Sequence, residues 1–328
     1  MQKLINDPAH AVVDSLRGFA LAHAGLVRLQ EDPLVLVRRD APVRDKVTII
    51  SGSGSGHEPL NTGYVGRGML DAACPGDIFT SPTPDQYLAA IDATHGGRGV
   101  VLIVKNYAGG VLNSEMAMEL AATRDVELAS VLVSDDVAVP EKARRRGLGG
   151  AVLVEKIAGA AADAGYLLPE VVEVSLRASA QVRSMGVALS SCTAPMVGRP
   201  TFRLPAGTME LGVGIHGEAG RKRIETASAD VVVELLLEAV SVDLALRPGE
   251  RVLAMVTGLG GTPQQELYIV YNHLHRLLQA QGVVVERSLV GEYVTSLDMA
   301  GAAVTLLRLD DELLRLWDAP VWTPTLRW

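Results

Sequence analysis

The run Ser51-Gly52-Ser53-Gly54-Ser55-Gly56-His57-Glu58-Pro59 follows directly on the apolar stretch Val47-Thr48-Ile49-Ile50 and narrows the folds open to this chain. A β-branched stretch of that kind reads as a buried strand. The alternate glycines after it let the backbone turn sharply and approach a small ligand with bare N–H groups. His57 then stands at the mouth of the strand, where a side chain that titrates near neutrality is a candidate general base for a hydroxyl proton. The plainer alternative is a glycine-rich connection that carries a solvated histidine.

The glycines do not spell a nucleotide site. A P-loop requires Gly-x-x-x-x-Gly-Lys-Ser/Thr, and no such string occurs in the chain. A dinucleotide fold needs a helix opening inside the glycines, whereas Pro59, Gly63, Gly66 and Gly68 interrupt any helix here. Asp71 lies about 20 residues on, as a ribose-binding acid would, but that spacing alone makes no site. Gly212-Val213-Gly214-Ile215-His216-Gly217 fits Gly-x-Gly-x-x-Gly by letter, yet it sits inside an alternating strand pattern.

A chain of 328 residues with 48% hydrophobic content is long enough for two domains with large cores. Only 4% is aromatic while small aliphatic residues abound, which fits an α/β protein whose strands are covered by helices. A formal net charge of −8 argues against a surface that tracks nucleic acid. Cys74 and Cys192 are too few for a disulfide framework and suit a reducing cytoplasm. No secretory signal or membrane span is visible, so a cytoplasmic location is expected.

Asp7 as cap with Pro8 at the first helical position predicts an opening helix. Strands are expected over 34–37, 47–50, 100–104 and 128–133, and helices over 148–166 and 169–185. The continuous apolar character of the later runs favours a parallel sheet. These elements make a first α/β domain over 1–182, largely parallel and carrying the glycine-rich loop. A mixed α+β second domain over 183–328 has strand candidates at 201–204, 209–216, 251–257, 283–294 and 302–309, with helices near 229–239 and 262–281. Strict alternation over 209–216 places Glu210, Gly212, Gly214 and His216 on one face, so His216 is expected to emerge over two glycines that leave room for a small molecule. A hydrogen-bonded structural histidine is the alternative.

Four strings read together are far more specific than either glycine run. They are the 51–59 run, Gly76-Asp77-Ile78-Phe79-Thr80-Ser81-Pro82-Thr83-Pro84, Lys105-Asn106-Tyr107, and Gly212-Val213-Gly214-Ile215-His216-Gly217-Glu218. They closely resemble the substrate-binding subunit of dihydroxyacetone kinases. The similarity extends through Ser134-Asp135-Asp136-Val137-Ala138-Val139 and Thr295-Ser296-Leu297-Asp298-Met299-Ala300-Gly301 to Trp317-Asp318-Ala319-Pro320-Val321-Trp322-Thr323-Pro324. The resemblance implies a two-domain α/β subunit, usually a homodimer, that holds a short ketose as a covalent hemiaminal on His216. It implies that His57 lies near the hydroxyl to be phosphorylated and that Gly54 and Lys105 contact the ketose, with Ser55 and Gly56 completing the loop. It further implies that ATP or ADP belongs to a separate helical kinase subunit, so that this chain binds no cofactor and no metal of its own.

Gly110 departs from the pattern, because the kinases carry a substrate-contacting aspartate at that point. Two readings follow: a kinase subunit adapted to its ketose, with Gly110 lining the site, or a ketose-binding sensor or co-regulator that has dropped transfer. Asp135 and Asp136 are expected to cap loops. Glu58 and Glu218 flank the two histidines and either orient them or are solvated. The run Arg144-Arg145-Arg146 either meets a nucleotide-bearing partner or is a solvated loop.

Overall fold

A computed structural model describes residues 3–328, and its chain forms two compact units. The first unit takes the chain up to Val133 together with Ala151–Arg177 and Leu313–Trp328, and the second takes Ser134–Gly150 and Ala178–Glu312. A single division at residue 182 is therefore too simple. The chain enters the second unit at 134, returns to the first for two helices, and ends there.

The first unit holds a six-stranded sheet of β1 (Val27–Glu31), β2 (Leu34–Arg38), β3 (Thr48–Ser55), β4 (Ala72–Ile78), β5 (Val100–Lys105) and β6 (Leu128–Val133). The spatial order is β1-β2-β4-β3-β5-β6. The four strands β4, β3, β5 and β6 are parallel, and β1 and β2 extend the sheet antiparallel. β5 is buried along its whole length, which its unbroken Val-Val-Leu-Ile-Val pattern foretells. The helices of this unit are α1 (Ala11–Ala22), α2 (Pro84–Thr94), α3 (Ala108–Ala121), most of α4 (Gly150–Asp163) and α5 (Leu168–Ala180), and, from Leu313 on, α8 (Asp311–Asp318). α2 and α3 close over the sheet, where Tyr87, Ala90, Ile91, Ala117 and Ala121 pack on Val35, Ile50, Leu102 and Val104.

The second unit holds β7 (Val182–Ala188), β8 (Thr208–Leu211), β9 (Lys222–Glu225), β10 (Arg251–Gly258), β11 (Val284–Gly291) and β12 (Gly301–Leu309), with α6 (Ala229–Leu244) and α7 (Gln264–Ala280). Its sheet order is β11-β10-β12-β7-β8-β9, parallel between β10 and β11 and antiparallel elsewhere. The expected fold class, a largely parallel first domain and a mixed second one, is the one observed.

Several local expectations change. Residues 182–185, read as the end of a helix, begin β7 instead, because pairing with β12 and β8 outweighs local helix propensity. No strand forms at 201–204. β4 was not foreseen, since Pro75 and Gly76 argue against a strand, yet the parallel neighbour β3 holds it in register from Ala72 to Ile78. Asp7 does cap the chain's first turn, its Oδ1 accepting the Ala9 N–H at 2.9 Å. No helix among the described residues is long and apolar enough to cross a membrane.

Candidate active site

The glycine run is a strand before it is a loop. β3 runs on through Gly52 and Gly54 to Ser55, and the turn comes only at Gly56, whose φ of 99° lies in the region that favours glycine. Close approach is what requires the first two glycines. A methyl group on Gly54 would lie 2.5 Å from the Thr80 nitrogen, and one on Gly52 would lie 2.9 Å from the Cys74 carbonyl and the Tyr87 hydroxyl. The bare backbone thus lets the 79–82 segment settle directly onto β3. Ser55 donates its hydroxyl to the Gly76 carbonyl at 2.7 Å, tying the strand's end to β4.

His57 follows at the C-terminal end of β3 and is fully buried. Its ring stacks on Phe79, with centroids 5.0 Å apart and planes 15° off parallel. Phe79 itself sits at φ 59°, a left-handed conformation that costs a bulky residue about 1–2 kcal/mol and is tolerated where surrounding structure enforces it. Glu58 uses both carboxylate oxygens on the Gly56 N–H, at 3.1 and 3.0 Å, and so braces the turn that carries His57.

Lys105 ends β5 with its side chain buried. A buried ammonium needs acceptors, and Nζ donates to the Gly52 carbonyl at 3.2 Å and to Asn61 Oδ1 at 3.3 Å. Only Asn106 and Tyr107 separate Lys105 from α3, so Gly110 belongs to the first turn of a helix rather than to a loop. The position is roomy: a methyl group there meets only the Lys105 carbonyl at 3.6 Å and Ser81 Oγ at 3.8 Å. In the first unit, then, Gly54, Ser55, Gly56, His57, Lys105 and Gly110 all lie at or just beyond the C-terminal ends of the adjacent parallel strands β3 and β5. That is where open α/β sheets place their ligands.

His216 belongs to the second unit. The expected strand to His216 stops at Leu211, because Gly212 turns to φ 76°. The space over the glycines is filled, not open. A methyl group on Gly214 would lie 2.1 Å from Glu218 Oε2 and 2.7 Å from Arg146 Nη1. What occupies that space is the histidine's own partner: His216 Nδ1 donates to Glu218 Oε1 at 2.8 Å, and the His216 backbone N–H donates to Oε2 at 2.9 Å. A carboxylate can only accept, so it fixes the proton on Nδ1 and leaves the lone pair of the neutral ring on Nε2. Burial pushes the Glu218 carboxyl up, but the hydrogen bond and charge of His216 prevail and hold it down at about 2. Behind the turn, the Ser296 hydroxyl donates to the Ile215 carbonyl.

The acids after β6 are structural, as expected. Asp135 accepts the Leu148 and Gly150 N–H groups, each at 2.7 Å, and caps α4. Asp136 accepts the Ala138 N–H at 2.9 Å and pairs with Arg146. The arginine run is no free patch: Arg145 is buried in a bidentate pair with Asp243, and Arg146 also donates to the Gly212 carbonyl at 2.8 Å. Sequence reasoning missed Phe79 as the ring beneath His57. It also missed Asn61 and Glu155, whose buried polar groups join Ser51, Ser53 and Lys105. The interruption of the apolar 152–162 stretch by Glu155-Lys156 was the one available signal for Glu155.

This architecture has close counterparts. The chain is 45% identical, over its full length and 99% of the relative's, to the Escherichia coli K12 protein named PEP-dependent dihydroxyacetone kinase, dihydroxyacetone-binding subunit DhaK. The crystal structure of the dihydroxyacetone kinase of C. freundii superposes with a TM-score of 0.93 at 36% identity, covering 99% of this chain and 60% of that one. A structure described as the dihydroxyacetone kinase operon co-activator Dha-DhaQ superposes with a TM-score of 0.89 at 31% identity, over 94% of this chain and 96% of that one. Residues 17–325 match the Dak1 domain. A match over nearly the whole length, with relatives this similar, makes the chain a member of the Dak1 domain family.

Proposed function

We propose that the chain is the ketose-holding subunit of a phosphotransferase acting on dihydroxyacetone or a related short ketose. The observation that carries this reading is the His216–Glu218 pair, which leaves a nucleophilic nitrogen on a ring of fixed tautomer. In the proposed capture step the Nε2 lone pair forms a bond to the ketose carbonyl carbon. The C=O π pair moves to oxygen, which takes a proton from solvent, while the Nδ1 proton leaves past the Glu218 carboxylate to solvent, so that no net proton is consumed. Glycerol has no carbonyl and is rejected, a discrimination that a pocket built only for hydroxyls achieves poorly.

His57 is then the group that takes or guides the proton of the terminal hydroxyl, and Lys105 is a ketose contact. ATP or ADP is carried by a separate helical subunit that delivers the phosphoryl group, and the chain works as a homodimer in the cytoplasm. Intact-mass spectrometry under non-denaturing conditions tests the reading: the chain gains the mass of one ketose, and His216→Ala gains none. An adduct that persists unchanged in His216→Ala refutes the assignment.

The second reading, a ketose-binding co-regulator, is favoured by Gly110, which puts no carboxylate at the first turn of α3. Transfer assays with dihydroxyacetone and erythrulose, with and without the cognate nucleotide-binding subunit, separate the two. Turnover supports the kinase subunit, and capture without turnover supports the co-regulator.

A further inference from the structure

A chain of buried polar groups runs behind the glycine strand. Glu155 on α4 is fully buried, and its Oε1 accepts a 2.6 Å hydrogen bond from Asn61 Nδ2. The same Nδ2 donates to Ser51 Oγ at 3.0 Å, and Ser51 commits its own proton to the Ile103 carbonyl at 2.9 Å. With both amide hydrogens directed that way, the Asn61 oxygen must face the opposite side. There it accepts from Ser53 Oγ at 2.7 Å and from Lys105 Nζ at 3.3 Å.

The two faces of Asn61 are not interchangeable. Reversing the amide would set its NH2 group against an ammonium that has only donors to offer. The acceptors on the first side, Glu155 and Ser51, are what hold the amide in its working orientation. Glu155 is the costly member of this set, because Oε2 has no hydrogen-bond partner among the described residues although the side chain is fully buried. Keeping a carboxyl there costs desolvation that the single hydrogen bond from Asn61 only partly offsets.

We infer that Glu155 is a positioning residue for the ketose site, fixing through Asn61 the direction from which Lys105 and Ser53 present their donors. This rests on the proposed reading of Lys105 as a ketose contact. The carboxyl acts through Asn61 and is not itself a catalytic residue. The charged group that acts on it is Lys105, and the polar ones are Ser51 and Asn61. Burial pushes the carboxyl up to about 7 against the pull of all three. Around neutral pH it therefore gains and loses a proton while Oε1 accepts from Asn61 in either form. The field at Lys105 changes with it, so ketose affinity varies with pH in this range.

The test compares the full-length chain with Glu155→Gln and Glu155→Met by two measurements. The first needs no ketose: the Asn61 side-chain amide signals in 15N-labelled protein, assigned by their loss in Asn61→Asp. The second is the fraction of covalent dihydroxyacetone adduct against concentration, between about pH 6 and about pH 8. Glutamine can still accept from Asn61. Glu155→Gln is therefore expected to keep the amide signals and, at the acid end of the range, an affinity within about twofold of the unmodified chain, while the variation of affinity with pH disappears. Glu155→Met is expected to lose the ordered amide signals and to bind ketose about tenfold more weakly, the scale of one misdirected charge-assisted hydrogen bond.

Unchanged amide signals and affinity in Glu155→Met overturn the inference. So does an unaltered pH profile in Glu155→Gln, which decides the matter if the methionine variant does not fold. Should the unmodified chain capture no ketose, the proposed function fails. The amide signals alone then decide whether Glu155 orients Asn61: their loss in Glu155→Met with retention in Glu155→Gln supports that orienting role, and their persistence in both refutes it.

Discussion

Burial lifts the Glu155 carboxyl from its ordinary 4.5 to about 7, against the opposing effects of Lys105, Ser51 and Asn61. A carboxyl raised in the folded state stabilises the fold most below its unfolded value, and that contribution is lost as pH climbs through the folded value. Glutamine at this position does not titrate. The stability of Glu155→Gln relative to the unmodified chain is therefore expected to grow as pH rises from about 4.5 to about 7, by about 3 kcal/mol at full extent. Urea midpoints of both proteins across this range measure the effect. A difference that stays constant with pH would show that Glu155 is ionised throughout. His216 presents the opposite case at the same scale, since Glu218 is held ionised by its partner and leaves the imidazole lone pair on Nε2.

α3 is the element that bears most directly on transfer. Gly110 is its third residue after the Tyr107 cap, and the first turn contains no acid. Glycine inside a helix costs about 1 kcal/mol relative to alanine, and an acid in the first turn gains about 0.3–1 kcal/mol from the helix dipole. The position also has room for a side chain. Gly110→Asp is accordingly expected to raise stability by about 1 kcal/mol in chemical denaturation. In single-turnover transfer from a competent partner it is expected to speed phosphorylation of dihydroxyacetone by about tenfold or more, as a restored base or positioning group would. Fast transfer by the unmodified chain with no gain in the variant would mean that another group already does this work. The strand β3 shows the reverse use of glycine. There Gly54 has no room at all, and the absent side chain lets the 79–80 backbone lie against the strand.

The interleaving of the chain carries a consequence for the whole molecule. α8 buries Leu313, Leu316 and Trp317, and the Lys156 ammonium on α4 donates to the Leu316 carbonyl at 2.8 Å, all within the first unit. Trp317 and Trp328 pack ring to ring with centroids 5.3 Å apart. Each such apolar side chain contributes about 1.5–3 kcal/mol on burial, so losing the segment removes an amount comparable with the 5–15 kcal/mol total stability of a typical domain. A fragment of residues 1–182 is thus expected to lack a cooperative unfolding transition by near-UV circular dichroism. A sharp transition in that fragment would show that the closing segment is dispensable. The division of labour proposed for the molecule is checked separately: calorimetric titration of the chain alone with Mg-ATP or Mg-ADP is expected to give no saturable heat. Stoichiometric binding would place a nucleotide site on this chain.

Local pattern was enough to find β3, β5, β6 and the turn that carries His57, because β-branched runs and glycine spacing act through the backbone of the residues that bear them. The capping roles of Asp135 and Asp136 followed from the resemblance, and the structure shows them accepting from the Leu148, Gly150 and Ala138 N–H groups. The strings around His57, Lys105 and His216 were enough to point to the family. Residue order alone did not reveal that Gly52 and Gly54 serve close packing rather than turning, or that β7 is a strand. Nor did it reveal that the space over Gly214 belongs to Glu218. The link between Glu155 and Asn61 spans 94 residues. A buried polar pair of that kind leaves no periodic trace, because its stabilisation arises only when two distant segments exclude water together. Tertiary structure decided these points, since each depends on which atoms fill the space beside a residue rather than on the residue's own preferences.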